Sequence, residues 1–241
     1  MAWGRFYGVG VGPGDPELLT LKAKRVLEEV DLLFCPHSRK GKRSLALSIV
    51  SGTVQRDWEL VELILPMTKE RRELTEYWRS AAREVIRFLA QGRSGAFITL
   101  GDPTLFSTFT YLMEEIKKEA PQIEFEIIPG ISAVNYVSSR VQTALAEGEE
   151  KLLIVPGPYK EKELAAYMDE FENIVLMKAG FQLEKIASAA ADRPQRFKTF
   201  LASRCGFPDE YISRDLSNAD KPELDYLTTV MLKKIPGGDG Q

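Results

Sequence analysis

Two apolar patterns alternate along the chain. Short, nearly continuous apolar runs read as strands buried on both faces, and stretches with apolar residues three and four apart read as one-faced helices. In the first half the pattern predicts strands over 5–10, 31–34, 95–100 and 124–128, with helices over 17–29, 74–90 and 108–119. Leu18, Leu21 and Leu27 supply the apolar face of the first helix; Trp78, Ala82, Val85 and Leu89 supply that of the second. The second half continues with strands over 151–155, 173–178, 199–202 and 226–233 and helices over 164–171 and 183–191. Strands alternating with helices predict an α/β protein with mostly parallel pairing in at least one sheet.

Composition narrows the class. At roughly 100–200 residues per domain, 241 residues make one large domain or two small ones. The net charge of −3, from 32 basic and 35 acidic residues, argues against a nucleic-acid partner. No apolar run approaches the roughly 18 residues of a membrane span, and the N-terminus lacks the pattern of a secretory signal. With Cys35 and Cys205 far apart, the expectation is a soluble, cytoplasmic protein with no membrane partner and no metal site. His37 is the only histidine, in a basic, turn-like stretch expected at the surface, so zinc sites and Ser-His-Asp triads have little to draw on.

The chemistry gathers at strand ends. Gly8-Val9-Gly10-Val11-Gly12-Pro13-Gly14-Asp15 follows the first strand. A dinucleotide fingerprint needs G-x-G-x-x-G and an acidic residue closing the second strand. This loop is spaced differently, and Asp31 opens the second strand, which favours a tight turn or a loop for another ligand over a dinucleotide site. Gly101-Asp102-Pro103 ends the strand over 95–100, and Pro129-Gly130 ends that over 124–128. Open parallel sheets bind ligands beyond such carboxyl ends.

Together these turns resemble the tetrapyrrole (corrin/porphyrin) methylases, which use S-adenosylmethionine. The resemblance runs over essentially the whole chain: Val9 to Pro16 followed by Leu18-Leu19-Thr20, the Gly101-Asp102-Pro103 and Pro129-Gly130 turns, and Arg204-Cys205-Gly206 followed by Pro208-Asp209-Glu210. Gly41 to Leu47 and Gly101 to Thr108 are most similar to the members that methylate C20 of precorrin-2 or cobalt-factor II in cobalamin synthesis, apart from Phe106, where relatives usually carry tyrosine.

The resemblance implies two α/β domains, 1–133 and 134–241, with a mostly parallel sheet in the first, a mixed sheet in the second and the cofactor in a cleft between them. It assigns Gly101, Asp102, Pro103, Leu105, Phe106, Ser132, Ala133, Met177 and Cys205 to S-adenosylmethionine, largely through backbone groups, so that the Cys205 thiol is an inert buried group. Gly10, Gly12, Pro13 and Gly14 face the tetrapyrrole, and Asp15 on the same loop is the candidate proton acceptor. Arg39, Lys42 and Arg43 lie in the densest basic cluster and are expected to grip the carboxylates on the substrate rim. The expected partners are a tetrapyrrole substrate and a second copy in a homodimer. The alternatives are a sister methylase acting at another ring position, a methylase of a protein or RNA target, a tetrapyrrole carrier without enzymatic activity or, more distantly, a nucleotide-dependent oxidoreductase.

Overall fold

The computed structural model describes residues 2–38, 44–66, 70–157, 160–192, 196–216 and 224–235. The chain divides into two compact units, Met1–Ser132 and Ala133–Gln241.

In the first unit, β1 (Phe6–Gly10), a 3-10 turn (Pro16–Leu18), α1 (Leu21–Glu29), β2 (Leu32–His37), α2 (Leu45–Ser51) and β3 (Glu59–Ile64) are followed by α3 (Arg71–Leu89), β4 (Gly95–Thr99), α4 (Phe109–Glu119) and β5 (Phe125–Ile128). The sheet order is β3-β2-β4-β1-β5 and every pairing is parallel. Parallel sheets are covered on both faces, and β1 and β4 are buried along nearly their whole length. The fully buried rings of Phe6, Phe34, Phe97 and Phe109 fill the core, Phe6 meeting Phe34 edge-on at 5.6 Å between centroids. Ala82, Val85 and Leu89 pack into the same core from α3, with Trp78 at its margin, as their spacing predicts.

Four sequence expectations need correction here. The helix expected over 17–29 is broken at Leu19 and Thr20; the Thr20 side chain accepts from Ala23 N and starts α1 afresh. Leu21 is therefore 87% exposed and the buried face is Ala23, Val26 and Leu27. β2 runs on through Pro36 to His37, so His37 is not a surface group: it is buried at a strand end. α2 and β3 had no counterpart in the reading. β3 is an edge strand whose burial alternates, with Glu59 and Glu62 exposed, so its sequence lacks the apolar run of its neighbours.

In the second unit, α5 (Ala133–Val141), β6 (Leu152–Pro156), α6 (Glu161–Glu170), β7 (Asn173–Met177) and a 3-10 turn (Gly180–Gln182) precede α7 (Leu183–Ala191), β8 (Phe197–Ser203), β9 (Tyr211–Ser213) and β10 (Thr228–Lys234). The sheet is mixed, in the order β6-β7-β10-β8-β9, with β6–β7 parallel and the other pairs antiparallel. α5 and the short β9 also went unread. The strand expected over 226–233 starts at Thr228. Leu164, Ile186, Leu176, Leu201 and Val230 make the core. Lys233, largely buried on β10, is neutralised by Glu147 at 3.1 Å and Glu150 at 3.0 Å. No described helix is long and apolar enough to cross a membrane.

Candidate active site

The strand order brings the first unit's candidate residues together. Because β1 lies between β4 and β5, the turns that leave these three strands are neighbours, although the residues involved are far apart in the chain. Gly12 and Gly101 take φ of 81° and 67°, a region in which side chains strain the backbone. They face each other as an isolated antiparallel pair: Gly101 N donates to the Gly12 carbonyl at 2.7 Å, and Gly12 N donates to the Gly101 carbonyl at 3.4 Å. A methyl group at Gly130 would stand 2.2 Å from the Gly101 carbonyl oxygen and 2.8 Å from the Gly10 backbone. The three turns thus touch backbone to backbone.

Asp102 ties two of them together. Its Oδ2 accepts from Gly130 N at 3.0 Å, while its Oδ1 accepts from Thr104 N at 2.8 Å and from the Thr104 hydroxyl. Bonds from neutral donors to an ionised carboxylate are stronger than neutral pairs. Pro103 is buried behind the turn and Leu105 half-buried, whereas Phe106 is 42% exposed at φ 52°. Ser107 accepts from Phe109 N at 3.2 Å and donates to the Thr99 hydroxyl at 3.2 Å, which fixes the start of α4 against the end of β4.

The first glycine loop has a structural job that sequence reasoning did not assign. Gly10, Gly12, Pro13 and Gly14 are all buried, and Gly10 and Gly12 belong to the cluster around Gly101 and Gly130. Asp15 Oδ1 accepts from Glu17 N at 2.9 Å, so this carboxylate caps the 3-10 turn. Ser132 is buried. Arg39, Lys42 and Arg43 lie outside the described residues.

The second unit carries the remaining candidates. Met177 ends β7, half-buried, its carbonyl accepting from Gly157 N at 2.9 Å. Ala133 opens α5. Cys205 follows β8 and is buried; desolvation pushes its thiol up to about 12, with Glu210 acting in the same direction, so the sulfur is a neutral thiol at neutral pH, as expected of an inert group. Cys205 stands between Arg204 at φ 51° and Gly206 at φ 75°. Arg204 is held there by Asp209 at 2.5 Å and Asp225 at 3.0 Å.

Glu210 anchors the same loop and sequence reasoning gave it no role. Its Oε2 accepts from Gly206 N at 2.7 Å; its Oε1 accepts from Arg140 Nη2 at 2.7 Å and Nε at 2.9 Å. The Tyr136 phenol faces this carboxylate; burial first, and the carboxylate with it, raises the phenol well above the ordinary tyrosine range. Tyr136 and Arg140 sit one turn apart on α5, the spacing that puts two side chains on one face. Nothing local in the sequence marks this network, because it joins positions 70 residues apart.

Among the described residues four non-glycine residues have left-handed backbone: Phe106, Gln142, Lys178 and Arg204. Three of them are cofactor candidates or their chain neighbours, Lys178 following Met177 and Arg204 preceding Cys205. Such conformations persist where the surroundings over-determine them, which is common at ligand clamps.

The model of the Tetrapyrrole (Corrin/Porphyrin) Methylases matches residues 5–218. The chain belongs to this family. It is 39% identical over 234 residues, 96% of each chain, to the "probable cobalt-precorrin-2 C(20)-methyltransferase" of Methanocaldococcus jannaschii. It is 33% identical to the precorrin-2 C(20)-methyltransferase of a Sinorhizobium species, over 97% of this chain and 96% of the relative. Among solved structures, uroporphyrin-III C-methyl transferase from Thermus thermophilus in complex with S-adenosyl homocysteine shares the fold, with a TM-score of 0.68 at 22% identity over 95% of this chain and 97% of that one. In this tetrapyrrole methylase, then, the parallel sheet and the mixed sheet are the shared fold.

Proposed function

We propose that this chain transfers the methyl group of S-adenosylmethionine to C20 of precorrin-2 or its cobalt complex, a step of cobalamin biosynthesis. The observation that carries this reading is the likeness to relatives named for that activity, over nearly the full length of both partners. Gly101, Asp102, Pro103, Leu105, Phe106 and Ser132 in the first unit, with Ala133, Met177 and Cys205 in the second, hold the cofactor. Gly10, Gly12, Pro13, Gly14, Arg39, Lys42 and Arg43 serve the substrate, as backbone in the glycine loop and as cations for carboxylates in the basic stretch. The active form is a homodimer, working in the cytoplasm.

The residues present suit this cofactor. The Gly101 turn offers backbone groups and a carboxylate already committed to three donors, and Phe106 presents an exposed apolar ring. A thiolate beside a sulfonium would itself take the methyl group; the Cys205 thiol, pushed up to about 12, does not compete. When bound, S-adenosylmethionine supplies a methyl group already activated by its sulfonium, and the macrocycle supplies the nucleophilic carbon. The protein's task is alignment, and positioning of this kind can supply about 7–11 kcal/mol of a barrier. The locked turns suit that task, since their backbone groups stand fixed before any ligand arrives. Asp15 lies on the substrate-side loop and is the candidate acceptor for the proton lost from the methylated carbon, its cap to Glu17 N using one oxygen only.

The test is to incubate the purified protein with S-adenosylmethionine and either precorrin-2 or cobalt-factor II, weigh the product and locate the new methyl by NMR. One added methyl at C20 is the expected result. A methyl at another ring position would move the protein to a sister activity, and cofactor binding without transfer to either substrate would overturn the C20 assignment.

A further inference from the structure

We infer that Glu210 is a positioning residue for the cofactor: its carboxylate clamps the Cys205 loop to α5, and so sets where the Cys205 backbone stands relative to Ala133. The inference rests on the proposed S-adenosylmethionine reading of Cys205 and Ala133. Glu210 makes no contact of its own in that reading and acts through Gly206, Arg140 and Tyr136.

Three observations combine. First, the carboxylate is only 13% exposed and gathers donors from two directions: Gly206 N at 2.7 Å on the loop and the Arg140 guanidinium at 2.7 and 2.9 Å on α5, with the Tyr136 phenol facing it from the same helix. One acceptor group therefore joins two elements that the backbone alone leaves unlinked at this point. Second, the loop needs such an anchor. Cys205 lies between two left-handed residues, one of them Arg204, and a non-glycine residue keeps that conformation only while its surroundings impose it. Arg204 is tied to Asp209 and Asp225, and Gly206 to Glu210, so the peptide groups on both sides of Cys205 are fixed. Third, the α5 end of the clamp is close to a candidate contact: Tyr136 is less than one helical turn from Ala133. A clamp with a cofactor residue near each end acts on cofactor geometry, and on the tetrapyrrole only indirectly.

Glu210→Gln keeps the shape but loses the charge and turns one oxygen into a donor that faces donors. Titration of S-adenosylhomocysteine into wild-type protein and into Glu210→Gln reads the effect directly, with the tetrapyrrole KM measured in parallel and thermal unfolding as the control for folding. The expected result is affinity for S-adenosylhomocysteine weakened about tenfold or more, while the tetrapyrrole KM changes less than about twofold. Tyr136→Phe, which removes one donor and leaves the ion pair, should weaken binding by about threefold on the same scale. Should Glu210→Gln fail to fold, Tyr136→Phe and Arg140→Lys carry the test. Equal binding by wild type and the folded variants overturns the inference alone, as does a parallel loss for both ligands. Absence of S-adenosylhomocysteine binding by the wild-type protein overturns the cofactor reading and the inference with it.

Discussion

The two units hold their candidate loops in opposite ways. In the first, the Gly10, Gly101 and Gly130 turns are pressed together as bare backbone, with a single carboxylate, that of Asp102, bridging the last two. In the second, the Cys205 loop is kept in place by charged and phenolic side chains: Glu210 with Arg140 and Tyr136, and Arg204 with two aspartates. One loop set is defined by the absence of volume, the other by the presence of charge. The first should fail when atoms are added, the second when charge is removed.

The largest effect is expected from Gly130→Ala. The added methyl meets the Gly101 carbonyl oxygen at 2.2 Å and Gly10 backbone at 2.8 Å, and neither can swing aside as a side chain could. Overpacking of this kind costs about 1–3 kcal/mol or more; we place this case at about 3 kcal/mol in urea unfolding, with loss of methyl transfer. Full stability and activity in Gly130→Ala would show that the turns are not in contact in solution and would break the comparison.

A middle-sized effect distinguishes the second unit by its response to pH. Burial works to raise the Glu210 carboxyl, but its bonds from Tyr136, Gly206 and Arg140 outweigh burial and hold it below the usual carboxylate range. A group whose value falls on folding stabilises the protein above its unfolded value, about 4.3 for glutamate, and that contribution is lost as pH drops through the lower, folded value. The stability gap between wild type and Glu210→Gln should therefore be constant from about pH 8 to pH 5 and shrink in more acidic solution. The groups facing this carboxylate are Arg140, Tyr136 and Cys205, and none of the three changes charge in that acidic range. A gap that grows on acidification would contradict the direction of the shift.

The smallest effect compares strain on the two sides. Phe106 at φ 52° is 42% exposed, so glycine there relieves the backbone at little packing cost. Phe106→Gly should stabilise the fold by up to about 1 kcal/mol, a rise of about 2–4 °C in the unfolding midpoint for a chain of this size. Arg204→Gly relieves a similar φ of 51° but deletes two ion pairs, and should give no gain. Equal gains at both positions would mean that the ion pairs of Arg204 contribute nothing to holding its loop.

The same contrast explains how far the sequence could be read. The interior strands β1 and β4 announce themselves because both faces are buried, and glycines at strand ends mark the first unit's turns. β3 is hidden by the exposed glutamates of an edge strand, and β9 by its length of three residues. α5 falls where the chain passes from one unit to the next, directly after a turn, and its short apolar face of Val134, Val137 and Val141 is flanked by polar residues. His37 was misplaced because it borders a basic, turn-like stretch, although β2 runs on through Pro36 to His37. The Glu210 network was illegible for a different reason: a long-range bond between side chains has no period and no fixed spacing. The backbone-built loops of the first unit thus leave a trace in composition, and the side-chain-built loop of the second does not.

The place of β1 in the middle of its sheet has a consequence for synthesis. Its partners β4 and β5 begin at Gly95 and Phe125, so β1, once it has left a ribosome, waits for about 120 further residues before both its edges are paired. Until then Gly10 and its neighbours have nothing to pack against, and the stretch from Phe6 to Val11 is an apolar segment open to wrong partners. The locking of the three turns is therefore a late event on the growing chain, completed only once Gly130 has emerged, and conditions that slow elongation between Gly95 and Gly130 should raise the demand for chaperones.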